Sequence, residues 1–243
     1  MVSIFFTIEF FFLKIWYTRF NQLNESEDIK MDILETMKAR HSVRQYKNQA
    51  IESSKREKIN ALIKDVNAES KLSIQVFYDE PKCFDSFMAH YGKFENVKNY
   101  IALVGNKNDQ EKAGYYGEKI VLKCQKLGLN TCWVAMTHGK SKAQIKRGQK
   151  LLIIISLGYG ETQGVPHKSK SIAELGQADQ KNEWFEKGME AVSLAPTAVN
   201  QQKFYFELKN GIVTAKNLGG FYSRIDLGIV KYHFEVVTGH EVK

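Results

Sequence analysis

Four short stretches hold most of the residues able to do chemistry. "ARHSVRQY" (39–46) brings Arg40, His41, Ser42 and Arg44 together where a helical pattern ends. Such a group of donors suits an anion, a phosphate above all, gripped through charge-assisted bonds. "HKSK" (167–170) places Lys168 and Lys170 after a long apolar run as a second basic pair. Read alone, either cluster is also an ordinary solvated surface. "GLNTCWVAM" (128–136) sets Cys132, Trp133, Val134 and Ala135 in a row. That row is either an apolar wall for a flat aromatic cofactor or simply a buried strand. In "APTAVNQQKFYF" (195–206), Pro196 cannot continue a helix, Asn200 tolerates a left-handed turn, and Phe204, Tyr205 and Phe206 favour a strand.

Regular elements must hold these stretches in place. The spacing predicts a helix over 32–40, capped by Asp32, with Ile33, Leu34 and Met37 on its apolar face. A second helix begins at Ser53 or Ser54 as cap and carries Ile59, Leu62, Ile63 and Val66. Strands follow at 72–78 and 100–105. Next comes a helix with Tyr116, Ile120, Cys124 and Leu127 on one face and Gly128 at its C-terminus. A strand over 150–160, a helix over 181–194, a hairpin turning at Asn210-Gly211, and a last helix capped by Asp226 complete the order. This succession predicts an α+β domain, with helices packed on a mainly antiparallel sheet. Helix, loop and strand recur at 54–78 and 181–208, which suggests a duplication.

Composition narrows the function classes. At 243 residues, 43% hydrophobic and 26% charged, the chain has ample material for a packed core. The formal charge of +8 favours anionic partners. No zinc-finger spacing, arginine-rich block or RNA-binding aromatic signature accompanies it, so a nucleic-acid partner is not expected. The three cysteines form no C-x-x-C pair, which suits a reducing cytoplasm. There is no H-E-x-x-H, and no metal site is expected. "GYGETQG" (158–164) follows a strand but leads into "VPHKSK" rather than a helix, so it does not meet the dinucleotide-loop requirement. No G-x-S-x-G elbow supports hydrolysis. Residues 1–30 are aromatic-rich but broken by Glu9 and Lys14, too short in their apolar pieces to span a bilayer. They read as a leader outside a domain of residues 31–243, with a membrane-surface helix as the alternative.

Together, "ARHSVR", "LGLNTCWVA", "KSK" and "LAPTAVNQQKFYF" resemble the FMN-dependent nitroreductase family. The resemblance implies an α+β sandwich with FMN bound where two subunits meet. It assigns Arg40, His41 and Ser42 to the phosphate and ribityl end, and Lys168 and Lys170 to a second phosphate clamp. Trp133, Val134 and Ala135 would flank the ring, and Pro196, Thr197 and Asn200 would match the loop that usually crosses from the partner subunit. That loop lies here in the second half of the same chain. The chain therefore resembles a branch in which one chain imitates the two-subunit site: a monomeric pseudo-dimer of half-repeats near 31–160 and 175–240, a homodimer being the alternative. The implied activity is ping-pong transfer of a hydride from NAD(P)H through flavin N5 to a nitroaromatic, quinone or similar acceptor. The flavin carries the chemistry, so no catalytic side chain is assigned. The sequence departs from the family pattern at Thr197, at "QQKF" and at Met136, near the ring, and at Lys168 and Lys170, where the phosphate clamp often includes arginine. A flavin storage or sensing protein with little turnover is the rival reading, and a basic nucleic-acid binder a more distant one.

Overall fold

The computed structural model describes residues 33–243; the leader at 1–30, its surface-helix alternative and the cap assigned to Asp32 lie outside the described residues. Helix α1 (residues 33–39) buries Ile33 and Met37 with Leu122 and Ala191. Helix α2 (Ser53–Ser70) buries Ile59, Ile63 and Val66, as the spacing predicts. Its start differs from expectation. Glu52 holds the extended N-cap dihedrals without a side-chain cap bond, and Ser53 and Ser54 already lie in the first helical turn.

Strands β1 (Ser73–Phe77), β2 (Asn99–Gly105), β3 (Asn130–Val134) and β4 (Lys150–Gly158) form an antiparallel sheet in the order β1-β2-β4-β3. A 3-10 turn (Pro81–Cys83) and the short helix α3 (Phe87–Tyr91) separate β1 from β2. The sheet is covered on both faces, and the period of two shows how. Ile101 and Leu103 of β2 join Ile59, Ile63, Ile120 and Cys124 beneath α2 and α4 (Gln110–Lys126). The alternate residues Tyr100 and Ala102 join Phe84, Phe94, Cys132 and Ile154 on the opposite face. Helix α4 ends as its sequence predicts: Gly128 takes a left-handed φ of +73° and donates its N–H to the Gln125 carbonyl at 2.9 Å.

The second half supplies α5 (Ile172–Leu175), β5 (Gly176–Ala178), α6 (Glu183–Ser193), β6 (Phe204–Lys209), β7 (Ile212–Asn217) and α7 (Ser223–Thr238). Strands β6 and β7 form the expected hairpin, with Asn210 and Gly211 both at positive φ. The short β5 adds in parallel to β6. Phe204, Phe206 and Leu208 of β6 pack with Phe185, Met189 and Phe234, in the same cluster as Ile101 and Leu103. One core thus serves both sheets. Its seam is the pairing of α4 with α7. A Cβ on Gly114 would stand 2.0 Å from the Ile225 carbonyl oxygen, and one on Gly228 would stand 1.9 Å from that of Glu111.

The start of α7 corrects another expectation. Tyr222, at a φ of 54°, occupies the N-cap position, and Asp226 sits within the helix. Its carboxylate turns instead to the loop before β6, where two donors meet it. No helix among the described residues is long and apolar enough to cross a membrane.

Candidate functional site

The segment after α1 is the first piece of the site. It runs beside β3, with Ser42 bridged to Thr131 and the Val43 N–H donating to the Thr131 carbonyl at 3.0 Å. Tyr46 anchors it from below: buried, its hydroxyl lies 2.7 Å from both the Val43 carbonyl and Ser156 Oγ. This pairing brings "RHSVR" and "TCWVA" edge to edge, although they are far apart in sequence.

A cavity of about 520 Å³ opens above that edge. Ser42, Arg44, Trp133 and Ala135 line it from the first half of the chain. Pro196, Thr197, Ala198 and Val199 line it from the second, as do Phe221, Tyr222 and Asp226. Tyr91, Lys93 and Met136 also contribute, and Tyr91 and Met136 are exposed. The walls are mostly apolar, with the cations Arg44 and Lys93 and the single acid Asp226 among the lining residues.

The remaining predicted residues, Arg40, His41, Val134, Lys168, Lys170 and Asn200, do not line this cavity. Arg40 is buried at 2% exposure, with its Nε 4.0 Å from Glu118 Oε1. Its Nε and Nη1 have no hydrogen-bond partner among the described residues. Burial pushes the Arg40 guanidinium below its ordinary value, and Glu118 opposes that shift. His41 is lowered by burial and then by the neighbouring Arg40 charge. Val134 points into the core beneath the sheet, as strand alternation requires of the residue after Trp133.

The loop from 195 to 202 is tightly held. Val199, Asn200 and Gln202 all take positive φ, at 47°, 53° and 46°. For a β-branched residue such as Val199 this is a strained conformation that surrounding bonds must impose. Those bonds are present. Ala198 N–H donates to Asp226, and Gln202 N–H donates to Thr197 Oγ1 at 3.1 Å. Gln202 Nε2 and Asn200 Nδ2 both donate to the Lys168 carbonyl, at 3.0 and 2.9 Å. Lys170 donates its N–H to Gln202 Oε1 at 2.8 Å and its ammonium to the Gln202 carbonyl at 3.1 Å. The "KSK" segment and the loop 195–202 therefore meet, each bond joining a side chain of Asn200, Gln202 or Lys170 to a backbone group. Sequence reasoning named Arg44 as a donor without assigning it to the site, and did not single out Gln202, Phe221 or Tyr222. Only Arg44 carried a readable signal, the basic i, i+4 spacing from Arg40.

The family described as "Putative TM nitroreductase" matches residues 32–238. The chain belongs to this family. Among solved structures, a "putative nitroreductase" from Thermotoga maritima MSB8 is 23% identical, with a TM-score of 0.60 over 84% of this chain and 82% of that one. It shares the fold. An "FMN-dependent Nitroreductase" from Clostridium difficile R20291 is 21% identical over 58% of this chain and 92% of that one, with a TM-score of 0.42. A "putative nitroreductase in complex with FMN" from Desulfovibrio desulfuricans is 16% identical over 58% of this chain and 93% of that one, with a TM-score of 0.46. No curated protein matches. The expected α+β sandwich with a mainly antiparallel sheet is the architecture observed.

Proposed function

We propose that this nitroreductase-family chain is an FMN-dependent oxidoreductase that takes reducing equivalents from NAD(P)H and delivers them, in a separate binding event, to a small acceptor such as a nitroaromatic or quinone. The observation that carries this reading is the single cavity that Ser42, Arg44 and Trp133 share with the loop 196–199. Its size, apolar walls and cationic lining fit a flat aromatic ring that bears an anion. Buried Arg40, whose Nε and Nη1 make no hydrogen bond, adds a positive charge that favours an anion in the cavity.

In this reading Ser42 and Arg44 hold the FMN phosphate, with Arg40 adding positive charge from behind and neutral His41 beside the ribityl end. Lys168 and Lys170 extend that basic side. Trp133 and Ala135 bound the ring on one side, and Pro196 and Thr197 on the other, while Asn200 secures the loop through Lys168. Bound FMN would supply the two-electron redox chemistry that links the nicotinamide to the acceptor. The protein's task is orientation and the exclusion of water. Tyr91, Met136, Val199 and Phe221 form the exposed apolar mouth through which donor and acceptor enter in turn. Loop 196–199 lines the same cavity as Ser42 and Trp133 of its own chain, which supports a pseudo-dimer with one complete site, and the three free cysteines fit a cytoplasmic enzyme.

The test is the visible spectrum of the purified protein. A flavin spectrum identified as FMN, bleached by NAD(P)H without oxygen and restored by a quinone or nitroaromatic, is the expected result. Failure to bind FMN would overturn the reading. Binding without bleaching would leave a flavin-storage or sensing protein in its place.

A further inference from the structure

Behind Trp133 lies a polar cluster shut off from solvent. Glu118 of α4 and His233 of α7 are fully buried, and Arg40 nearly so. Trp133 Nε1 donates to Glu118 Oε2 at 3.0 Å, and His233 Nε2 lies 3.0 Å from Glu118 Oε1. The other ring nitrogen, Nδ1, lies 2.8 Å from the Ala191 carbonyl oxygen. A carbonyl only accepts, so Nδ1 carries a proton, and a second proton lies between Nε2 and Oε1. With Arg40 cationic, these three side chains then hold one more positive than negative charge. Stability gives little reason to bury them, because apolar residues of similar volume do as well or better.

Their arrangement points to the cavity instead. Gly117, beside Glu118, leaves Trp133 no room to move inward, since a Cβ there would stand 2.4 Å from Trp133 Cη2. The indole thus rests against α4, its N–H is tied to the Glu118 carboxylate, and it lines the cavity. We propose that Glu118 is a positioning residue for this site: its carboxylate fixes the plane of Trp133 and stands between His233 and Arg40. It thereby joins α4, α7 and the segment after α1 to one wall of the cavity. The binding arm of the test rests on the flavin reading, and the spectroscopic arm does not.

In ¹⁵N-labelled protein free of flavin, Trp133→Phe assigns one of the three indole N–H resonances. Glu118→Ala should shift that resonance upfield and speed its exchange with solvent. Glu118→Gln keeps an acceptor oxygen and should shift it part of the way, which serves if the alanine variant does not fold. A resonance unmoved in the folded variants overturns the proposal. In the binding arm, Glu118→Ala (or Glu118→Gln) and Trp133→Phe should each weaken FMN affinity, by about tenfold for the loss of a bond to a charged group. The double variant should lose no more than the worse single one, because the two act as a unit. Additive losses overturn the proposal. Wild-type protein that binds no FMN would refute the functional reading and leave the resonance to decide the role of Glu118.

Discussion

Asp226 Oδ1 accepts the backbone N–H of Ala198 at 2.9 Å, which joins the first turns of α7 to the loop that walls the cavity. Gln201 Nε2 donates to the other carboxylate oxygen at 2.7 Å. Burial nevertheless dominates and pushes the Asp226 carboxyl up to about 6, while the two donors pull it down.

This shift gives a stability profile with a definite sign. The unfolded Asp226 titrates near 3.8 and the folded one near 6, so between these values the folded state holds more protons. Its contribution is fully present below about pH 4 and is lost as pH rises through about 6. About two pKa units correspond to at most about 3 kcal/mol. Asp226→Asn should therefore gain stability relative to wild type as urea unfolding is repeated from pH 4 to pH 7. The slope is the readout, and a flat difference would mean that the carboxyl titrates at its ordinary value.

Gly228→Ala tests the seam. The added Cβ would meet the Glu111 carbonyl oxygen at 1.9 Å, a backbone atom with nowhere to go. Overpacking of this kind costs roughly 1–3 kcal/mol and sometimes more. The denaturant midpoint should fall accordingly, and an unchanged midpoint would contradict the close approach of α4 and α7.

Arg44→Ala should weaken FMN about tenfold or more while sparing riboflavin, because one charge-assisted bond to the phosphate is lost. Flavin fluorescence titration reads both affinities. Equal weakening of the two flavins would place Arg44 at the ring instead.

The reach of sequence reasoning differed from element to element for physical reasons. Strands β2 and β4 are continuous apolar runs that only burial on both faces explains, and the Asn210-Gly211 turn announces its own hairpin. Three-residue β5 has no periodicity to read, and α3 is little more than a turn. Asp226 looks like a cap because carboxylates suit helix starts; only the path of the loop reveals that Ala198 and Gln201 engage it. Arg40, His41 and Ser42 are adjacent in sequence, yet the turn after α1 buries the first and leaves Ser42 at the cavity. Glu118 sits on the buried side of α4, where a lone acid carries no pattern that points to Trp133.

FMN should bind one per chain, and dilution to a verified monomer should not release it. The loop 196–199 is covalently tied to the rest of its site, so no association entropy opposes its docking. Sedimentation with flavin fluorescence detection follows both quantities together. Flavin release in step with chain dissociation would show that a second copy completes the site.

Removal of residues 1–30 should leave FMN affinity unchanged, since every residue lining the cavity lies at or after Ser42. Loss of binding in that truncation would move the start of the functional domain upstream.

The glycine contacts between α4 and α7 also set a gauge. Trp133 is referenced to α4 through Gly117 and Glu118, and the opposing loop is referenced to α7 through Asp226. Because Gly114 and Gly228 face main chain rather than a side chain, no second substitution can restore the fit once either acquires a Cβ. Neither helix can slip by one residue past the other without setting a side chain against a carbonyl. The gap between the two walls is therefore a dimension inherited from the seam. Variation in what the cavity accepts is then left to its mouth, where the exposed Tyr91, Met136 and Phe221 can change without disturbing that spacing.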